Sequence, residues 1–178
     1  MAGGKGVVAD YLKSKGFDHF SLSDRIRDEL KKLGLPESRE NLQEIADKMR
    51  VKYGPAVLAM KTWESATKQK VKFAVLETIR GQAEVDFLKS KPNFYLVGIT
   101  APRKIRFQLI SQRNREGDSI TWTEFVKRNK LDFKSGEGLN GRNIRYCLKN
   151  ADVVFQNKRT IKDLEEKVER WLKKKKII

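Results

Sequence analysis

Short apolar runs alternate with stretches of helical periodicity along most of this sequence. Residues 18–22, 71–76, 94–99 and 152–155 are strand candidates, and patterns of helical spacing lie between them. The run at 94–99 is almost entirely apolar, as is typical of a parallel strand that is covered on both faces. Strands that alternate with helices predict a parallel sheet with helices on both sides. We therefore expect a single α/β domain over residues 1–178.

Apolar spacing and capping residues predict the helices. Residues 24 to about 70 form a helical block without a convincing strand, which is interrupted by Gly34 and by Gly54-Pro55. Later helices are expected at 83–90, 103–113 and 143–149, after the capping box that starts at Thr121, and in a closing segment from Ile161 to Leu172. The glycines near residues 136–138 make that stretch the most flexible one inside the chain.

The charge of the chain predicts an anionic partner. The formal net charge is +16 and the isoelectric point is about 10.0. A surface of this kind attracts nucleotide phosphates and also predicts nonspecific contact with nucleic acid. The positive residues are dispersed, and the run Lys173–Lys176 is most simply a solvated helix end.

Several classes of protein are excluded by composition. One cysteine, Cys147, cannot form an intrachain disulfide, and its helical neighbours indicate a core position. One histidine, His19, leaves no plausible zinc cluster. The apolar runs are too short to span a bilayer, and no signal peptide is visible. We expect a cytoplasmic protein without membrane contact.

The first residues carry the strongest local motif. Gly3-Gly4-Lys5-Gly6 leads directly into an amphipathic helix pattern that ends near Gly16. Glycines allow backbone N–H groups to surround phosphate oxygens, a helix N-terminus adds partial positive charge, and a lysine reaches the outer phosphates. The motif matches the back half of a phosphate-binding loop. The alternative, a flexible glycine-rich tail, stays open at this point.

Polar residues follow each strand candidate. Because the carboxyl ends of parallel strands meet at one edge of a sheet, where ligands bind, these residues are candidates for a common site. They are Ser21, Ser23, Asp24, Glu77, Arg80, Thr100, Arg103, Gln156 and Asn157. The simpler alternative for Asp24 is a helix cap, and for Glu77 a strand-end residue without metal.

The order of these motifs resembles that of P-loop nucleoside monophosphate kinases. Lys5-Gly6, Phe20–Arg27, Leu76–Arg80, and Thr100-Ala101-Pro102 with Arg106 and Arg113 carry the resemblance over almost the entire chain. It is closest to archaeal kinase-like proteins related to dephospho-CoA kinase, deoxynucleotide kinases and adenylate kinase. The resemblance implies a three-layer P-loop NTPase-type parallel sheet, an acceptor-binding helical block at about 24–70, and a lid region at about 113–138.

The resemblance also implies roles for individual residues. Lys5 contacts the β- and γ-phosphates of ATP, and Gly3, Gly4, Gly6 and Val7 form the nucleotide-binding loop. Ser23, Asp24, Arg27 and Arg80 bind the acceptor, Glu77 orients Mg²⁺, and Arg106, Arg113 and the lid residue Arg115 neutralise the transferring phosphoryl group. The alternative for Arg27 is a surface charge that is paired with acids near Glu29. The alternative for Arg106 and Arg113 is a solvated helix face.

The sequence departs from this pattern at several places. Val7 and Val8 stand where a hydroxyl residue is common, Leu109 replaces a lid arginine, and Glu77-Thr78 replaces the commoner Asp-Gly. The strand that precedes the loop is absent, although it is central in these kinases, between 71–76 and 94–99. We expect that Met1 is an internal methionine and that roughly ten further residues precede it. Without them, we expect weak or no ATP binding and an unstable sheet with a gap or re-paired strands.

Three functions follow from these features. The first is transfer of the γ-phosphoryl group of ATP to a nucleoside or deoxynucleoside monophosphate. The second is a dephospho-CoA kinase-like activity. The third is that of a basic protein with a kinase scaffold but without catalysis, which binds nucleic acid or has a regulatory role. The sequence leaves a monomer and a homodimer equally open.

Overall fold

A computed structural model describes residues 3–112, 121–134, 142–158 and 160–178. Helices and short strands alternate along it, as the sequence predicts. In chain order the elements are α1 (Lys5–Ser14), β1 (Asp18–Ser21), α2 (Leu22–Lys32), α3 (Arg39–Tyr53), α4 (Val57–Lys68), β2 (Ala74–Glu77), α5 (Gln82–Lys89), β3 (Val97–Thr100), α6 (Arg103–Gln112), α7 (Trp122–Lys134), α8 (Ile144–Lys149), β4 (Val153–Gln156) and α9 (Ile161–Lys174).

Side-chain caps explain where several helices begin. Ser38, Asn143 and Thr160 each accept a backbone N–H from the first turn of the helix that follows. Ser21 and Asp24 form a reciprocal capping box at the start of α2. Each cap satisfies a backbone donor that has no acceptor inside the helix, so these polar residues fix the element boundaries.

The strands form two parallel pairs. In one pair Asp18 of β1 lies opposite Ala74 of β2, and in the other Val97 of β3 lies opposite Val153 of β4. Within the described residues each pair is a separate two-stranded sheet. The parallel direction is as expected, whereas the single continuous sheet that the sequence predicts is not formed.

Two strands begin later than the apolar runs suggest. The run at 94–99 yields a strand only from Val97, because the Leu96 N–H donates to the Asp152 side chain at 2.7 Å instead of joining the ladder. The run at 71–76 yields a strand only from Ala74, after Lys70 has adopted a left-handed φ of 51°.

Helices pack against both faces of the strands. On one face, Val8 of α1 and Leu164 of α9 belong to a core cluster that also contacts Val75, Val97, Ile99 and Val153. On the other face, Leu76 packs against a cluster formed by α2, α3 and α4. Leu96 packs there with Val85 of α5 and Cys147 of α8. Helices therefore contact both faces of the strand pairs, whereas the three-layer P-loop sheet that the resemblance implies stays a prediction.

A cavity of about 730 Å³ lies between the two strand pairs. Every residue of β2 and of β3 lines it, together with the residues on either side of each strand. The cavity is therefore bordered by one strand of each pair. No helix within the described part of the chain is long and apolar enough to cross a membrane.

Candidate functional site

The N-terminal segment lies across the carboxyl ends of β2 and β3. Gly3 is buried against β3, and a Cβ atom built on it would lie 2.8 Å from the Ile99 carbonyl oxygen. Lys5 begins α1, and its Nζ lies 3.6 Å from Oε1 of Glu77, the last residue of β2. Gly3 and Lys5 are two positions apart in sequence, and they contact the ends of two different strands. The glycine-rich segment is thus a packed part of the fold, not a free tail.

Gly4 is held in a conformation that favours glycine. Its φ is 101°, and a Cβ atom there would lie 2.9 Å from Asn157 Nδ2. The first intrahelical bond runs from the Val8 N–H to the Gly4 carbonyl at 3.2 Å. The amide groups of Gly6 and Val7 therefore precede the helical hydrogen-bond ladder, as anion-binding amides do.

The side chains of this segment differ in what they offer a ligand. Val7 packs its side chain against the apolar cluster of α1 and α9, so only its backbone can contact a phosphate. A Cβ atom on Gly6 would meet no atom of the described chain within 4 Å. The open side of the helix start is therefore the side of Gly6.

Glu77 connects three elements. Its Oε1 faces Lys5, and its Oε2 lies 3.1 Å from His19 Nε2 on β1. The carboxylate is 21% exposed. Among the described residues no group of three histidine, cysteine or acidic side chains is arranged to hold a metal ion. Glu77 is thus a single carboxylate that two basic side chains contact.

Thr78 joins the end of β2 to the start of α2. It adopts a left-handed φ of 70°, which is unusual for a β-branched residue. Its Oγ1 lies 3.2 Å from Ser21 Oγ and from both the backbone N and the Oγ of Ser23. A left-handed φ favours the glycine of the commoner Asp-Gly pair, so Thr78 occupies this position at a conformational cost.

Arg80 is positioned through its backbone. Its N–H donates to Glu84 Oε2 at 2.9 Å, and its carbonyl accepts from the Asn143 N–H at 2.7 Å. Its side chain lines the cavity, and the described residues provide it with neither a hydrogen bond nor an ion pair. A fixed backbone therefore carries a guanidinium that is available to an anion.

Glu84 is a residue that sequence reasoning missed. It is 2% exposed, accepts the Gly81 N–H at 2.9 Å as well, and pairs with Arg50 Nη2 at 3.4 Å. The available signal was its place three residues after Gly81, which is the capping-box position of α5.

Arg106 also lines the cavity and is firmly held. Its Nε donates to the Ala101 carbonyl at 3.0 Å, and its Nη1 donates to Asn129 Oδ1 at 2.5 Å. Its guanidinium carbon lies 5.6 Å from the centre of the Phe125 ring. Arg106 thus joins α6 to α7. The other two predicted lid arginines, Arg113 and Arg115, lie outside the described residues.

Three of the four predicted acceptor residues, Ser23, Asp24 and Arg27, lie apart from this group, whereas Arg80 lines the cavity. Asp24 accepts the Ser21 N–H at 3.3 Å in the capping box, which is the simpler role considered for it. Arg27 donates to Glu37 at 2.8 Å and to Asp24 at 3.0 Å, and the hydrogen bond that it donates to Glu37 raises the pKa of Arg27. Neither side chain lines the cavity, and Ser23 reaches it only through Thr78.

The geometry divides the predicted residues into two groups. Gly3, Lys5, Glu77, Arg80 and Arg106 line one cavity. These five residues combine a helix start, three basic side chains and one acid, a set that suits phosphate groups. Asp24 and Arg27 form a separate ion-paired cluster at α2.

Solved structures share this fold. TT1252 from Thermus thermophilus matches with a TM-score of 0.62 at 20% identity, covering 98% of this chain and 93% of that one. A sugar kinase from a Janibacter species, solved without ligand, matches with a TM-score of 0.53 at 12% identity, covering 97% and 89%. At these identities the likeness shows the fold alone, and that fold is kinase-like, as the resemblance predicts.

The sequence comparisons show the family, although no family model matches the chain. UPF0200 protein PH1008 from Pyrococcus horikoshii is 32% identical over 177 residues, covering 96% of this chain and 91% of the relative. A UPF0200 protein from Methanothermobacter thermautotrophicus is 32% identical over 166 residues, covering 93% and 85%. The chain belongs to the UPF0200 protein family.

Proposed function

We propose that this protein is an ATP-dependent nucleotide kinase of the P-loop type, which transfers the γ-phosphoryl group to a nucleoside or deoxynucleoside monophosphate. The observation that carries the proposal is the position of Lys5. It begins α1 at the carboxyl end of β2, 3.6 Å from Glu77, on a cavity that Arg80 and Arg106 also line. Ligands of parallel α/β folds bind at this end of the strands.

The start of α1 provides the ATP side of the proposed site. The amides of Gly6 and Val7 and the positive end of the helix dipole attract phosphate oxygens. The Lys5 side chain is 44% exposed, and an exposed ion pair of this kind is worth only about 0–1 kcal/mol. An ATP phosphate therefore competes with Glu77 for the lysine at little cost.

The arginines provide charge for the transferred group. Phosphoryl transfer passes through a loose transition state, so the protein contributes positioning and positive charge and no covalent step. Arg80 presents its guanidinium from a backbone that Glu84 and Asn143 hold. Arg106 donates to Ala101 and Asn129, and its planar guanidinium carries five N–H groups in all. Both can clamp phosphate oxygens.

The residues at this site fit Mg²⁺ only when the ion is bound together with the nucleotide phosphates. The ion prefers one or two carboxylates combined with phosphate oxygens and waters. We assign Glu77 as the carboxylate that holds the ion. When bound, Mg²⁺ neutralises charge on the phosphate oxygens. Glu77 would hold it through water, and His19 and Lys5 fix the orientation of that carboxylate.

The acceptor side keeps two alternatives. A dephospho-CoA kinase-like activity uses the same phosphate-binding features and differs only in the acceptor. Ser23, Asp24 and Arg27 are the residues proposed to border the acceptor, and Arg27 would exchange Glu37 for the acceptor phosphate. The net charge of +16 favours a third candidate, a basic protein that binds nucleic acid without catalysis.

An ADP-release assay over a panel of nucleoside monophosphates, deoxynucleoside monophosphates and dephospho-CoA separates these functions. We expect ATP-dependent turnover with one class of acceptor and its loss in Lys5→Ala. The matched control is Lys13→Ala on the same helix, because Lys13 pairs with Asp10 at 3.8 Å and does not line the cavity. The control should keep the wild-type rate.

Binding to single- and double-stranded nucleic acid at several salt concentrations provides the counter-test. Nonspecific binding depends on the total charge, so both lysine variants should lose equally little affinity. Full turnover in Lys5→Ala, or an equal loss of turnover and nucleic-acid affinity in that variant, would contradict the kinase assignment. Both variants are first compared by thermal unfolding, so that loss of fold is not mistaken for loss of activity.

A further inference from the structure

The strands have a second end, which the proposed kinase site does not use. Aromatic and basic side chains line the cavity where β2 and β3 begin. We call them the amino-end face, and they are Lys72, Phe73, Tyr95, Trp171, Lys175 and Lys176. Four-residue strands separate this face from the carboxyl ends by about 13 Å. The amino-end face is therefore a surface of its own.

The lysines that follow α9 are held in place. The Ile177 N–H donates to the Leu172 carbonyl at 3.0 Å, and the Ile177 side chain packs against the core cluster of α1 and α9. Lys176 adopts a left-handed φ of 55° in this turn, and Lys175 Nζ lies 5.5 Å from the centre of the Tyr95 ring. The lysine run that the sequence indicates to be a solvated helix end thus contributes to a defined surface.

The aromatic side chains of this face are supported by other rings. Tyr95 is 38% exposed and packs edge to face with Trp171, with ring centres 5.6 Å apart. Phe73 stacks on Phe17 at 5.1 Å, and Lys72 Nζ lies 5.2 Å from the centre of the Phe73 ring. Tyr95 and Phe73 therefore each combine a supported ring with an adjacent ammonium group.

The charge of the amino-end face is positive and largely uncompensated. Lys72, Lys175 and Lys176 are exposed, and within the part of the chain that the structure describes none of the three forms an ion pair. Exposed lysines that no acid neutralises attract anions from solution.

The acids at this end of the strands offset little of that charge. Asp152 pairs with a lysine of α5 at 3.2 Å, and Glu169 pairs with Lys173 at 3.0 Å. Asp18 is exposed, and its N–H donates to the Phe73 carbonyl at 2.9 Å, which places one negative charge beside the face. The three lysines outweigh it, so the complementary partner is an anion.

We propose that the amino-end face binds single-stranded nucleic acid, with a base stacked on Tyr95 and phosphates contacted by Lys72, Lys175 and Lys176. Surfaces that bind single strands without sequence preference combine positive charge with aromatic rings, because every base has a flat π-face. The net charge of +16 alone predicts contact with nucleic acid but gives neither its place nor the kind of strand. The proposal does not rest on the kinase assignment.

Other polyanions fit this face less well. A duplex keeps the flat sides of its bases inside the helix, so it offers phosphates to the lysines but no base to Tyr95. An anionic membrane favours apolar side chains that protrude, whereas Phe73 and Trp171 are half-buried and line a cavity. A single strand offers phosphates and free bases together.

The first test measures fluorescence anisotropy of a labelled oligouridylate of about twelve nucleotides and of a labelled duplex of the same length. Tyr95→Ala should weaken binding of the single strand about 10-fold and leave binding of the duplex unchanged, because only the single strand stacks on the ring. Tyr95→Phe keeps the ring and should keep the affinity within about twofold. The matched control is Tyr53→Ala, which removes a tyrosine that is 52% exposed and has two lysines at 5.0 and 5.5 Å from its ring centre. It should change neither affinity.

The second test removes charge without removing a ring. Replacing Lys72 and Lys175 together by alanine should reduce the slope of log affinity against log salt by about 1.4 for the single strand, since each phosphate contact contributes about 0.7. Replacing Lys52 and Lys61 together removes the same charge beside Tyr53 and should leave the slope nearly unchanged. These four lysines are exposed, so both double variants should fold, which thermal unfolding checks.

Three results would overturn the proposal. They are an unchanged affinity of Tyr95→Ala for the single strand, equal salt slopes for the two double variants, and a loss of binding to phosphatidylserine vesicles in Tyr95→Ala without a loss on the oligonucleotide. All of these measurements are made without ATP. Absent kinase activity therefore leaves this proposal intact, and absent oligonucleotide binding leaves the kinase assignment to its own assay.

Discussion

The ammonium group of Lys5 lies 3.6 Å from the Glu77 carboxylate, so the first residue of α1 faces the last residue of β2. His19 of β1 lies 3.1 Å from the other oxygen of the same carboxylate. Three elements therefore meet at one acid at the carboxyl end of the strands. Since the pair is partly exposed, it contributes little to folding stability, and its place on the cavity suggests a role in binding.

The first prediction concerns Glu77 as a magnesium-orienting residue. In Glu77→Gln the Mg²⁺ concentration for half-maximal ADP release should rise severalfold, because the amide binds hard cations more weakly than a carboxylate does. The free energy of unfolding should change by no more than about 1 kcal/mol. Asp10→Asn removes a comparable ion pair, with Lys13, and should leave the magnesium dependence unchanged. Identical magnesium titrations for Glu77→Gln and wild type would remove Glu77 from the metal site.

The second prediction concerns the left-handed backbone at Thr78. Thr78→Ala keeps the φ of 70° but loses the hydroxyl contacts to Ser21 and Ser23, so the free energy of unfolding should fall by about 1–2 kcal/mol. Thr78→Gly loses the same contacts but removes the left-handed strain. It should therefore be more stable than Thr78→Ala by about 1 kcal/mol. Urea unfolding of the two variants measures the difference, and the reverse order would show that φ at residue 78 is not strained.

The third prediction concerns the buried acid Glu84. In Glu84→Ala the backbone amides of Arg80 and Gly81 and the Arg50 guanidinium lose an acceptor that is 2% exposed. Removing one partner of a buried ion pair typically costs about 3–5 kcal/mol. At this chain length the thermal midpoint should fall by about 10 °C.

Two variants separate charge from position at Glu84. Glu84→Gln retains one oxygen acceptor for the two amides and should lose less stability than Glu84→Ala. Asp86→Ala on the same helix removes only an exposed hydrogen bond to Tyr146, so its cost should be about 1 kcal/mol. Equal midpoints for Glu84→Ala and Asp86→Ala would mean that the buried network does not stabilise the fold.

The order of the elements could be predicted from the sequence, but their edges and pairing could not. Apolar spacing located α1, α3 and α9 because each buries a stripe that recurs with helical periodicity. The starts of β2 and β3 were placed three residues early, since an apolar run does not reveal which backbone groups bond to another strand.

The candidate site was predictable where it depends on local motifs. Lys5 and Glu77 lie in recognisable contexts, a glycine-rich helix start and a strand end, and the structure brings them together. Thr78 and Ser23 are 55 positions apart in sequence, and Arg50 and Glu84 are 34 positions apart. No local sequence pattern predicts contacts over such separations. Whether Arg27 binds an acceptor stays a prediction, because its guanidinium is paired with Glu37 and Asp24.

The fourth prediction concerns the link between α1 and α9. Hydrogen bonds from Lys173 and from Tyr11 lower the pKa of Glu169. A carboxyl whose pKa is lower in the folded state stabilises the fold above its unfolded pKa of about 4.3 and loses that effect as the pH falls through the folded pKa. The stability difference between wild type and Glu169→Gln should therefore shrink on acidification.

The stability of the fold at alkaline pH tests the role of Tyr11 in the same contact between α1 and α9. Burial and the hydrogen bond to Glu169 raise the pKa of Tyr11 to about 12. The stabilisation is complete below the ordinary tyrosine pKa of about 10 and is lost as the pH rises through about 12. Comparing wild type with Tyr11→Phe in urea at several pH values removes the effect of lysine titration, which the two share. A difference that does not change with pH would contradict the raised pKa.

The fifth prediction concerns Cys147, which lines the cavity between β2 and β3 and is 8% exposed. Burial raises the pKa of its thiol to about 12, with a smaller contribution from the charge of Glu84. Because the thiolate is the reactive form, the folded chain should react with a disulfide reagent at pH 8 at least about 100-fold more slowly than the chain in urea. The variant Ser14→Cys places a thiol at the exposed end of α1 and, with Cys147→Ala, serves as the fast-reacting control. Rapid labelling of Cys147 in the folded chain would mean that the α8 side of the cavity is open to solvent.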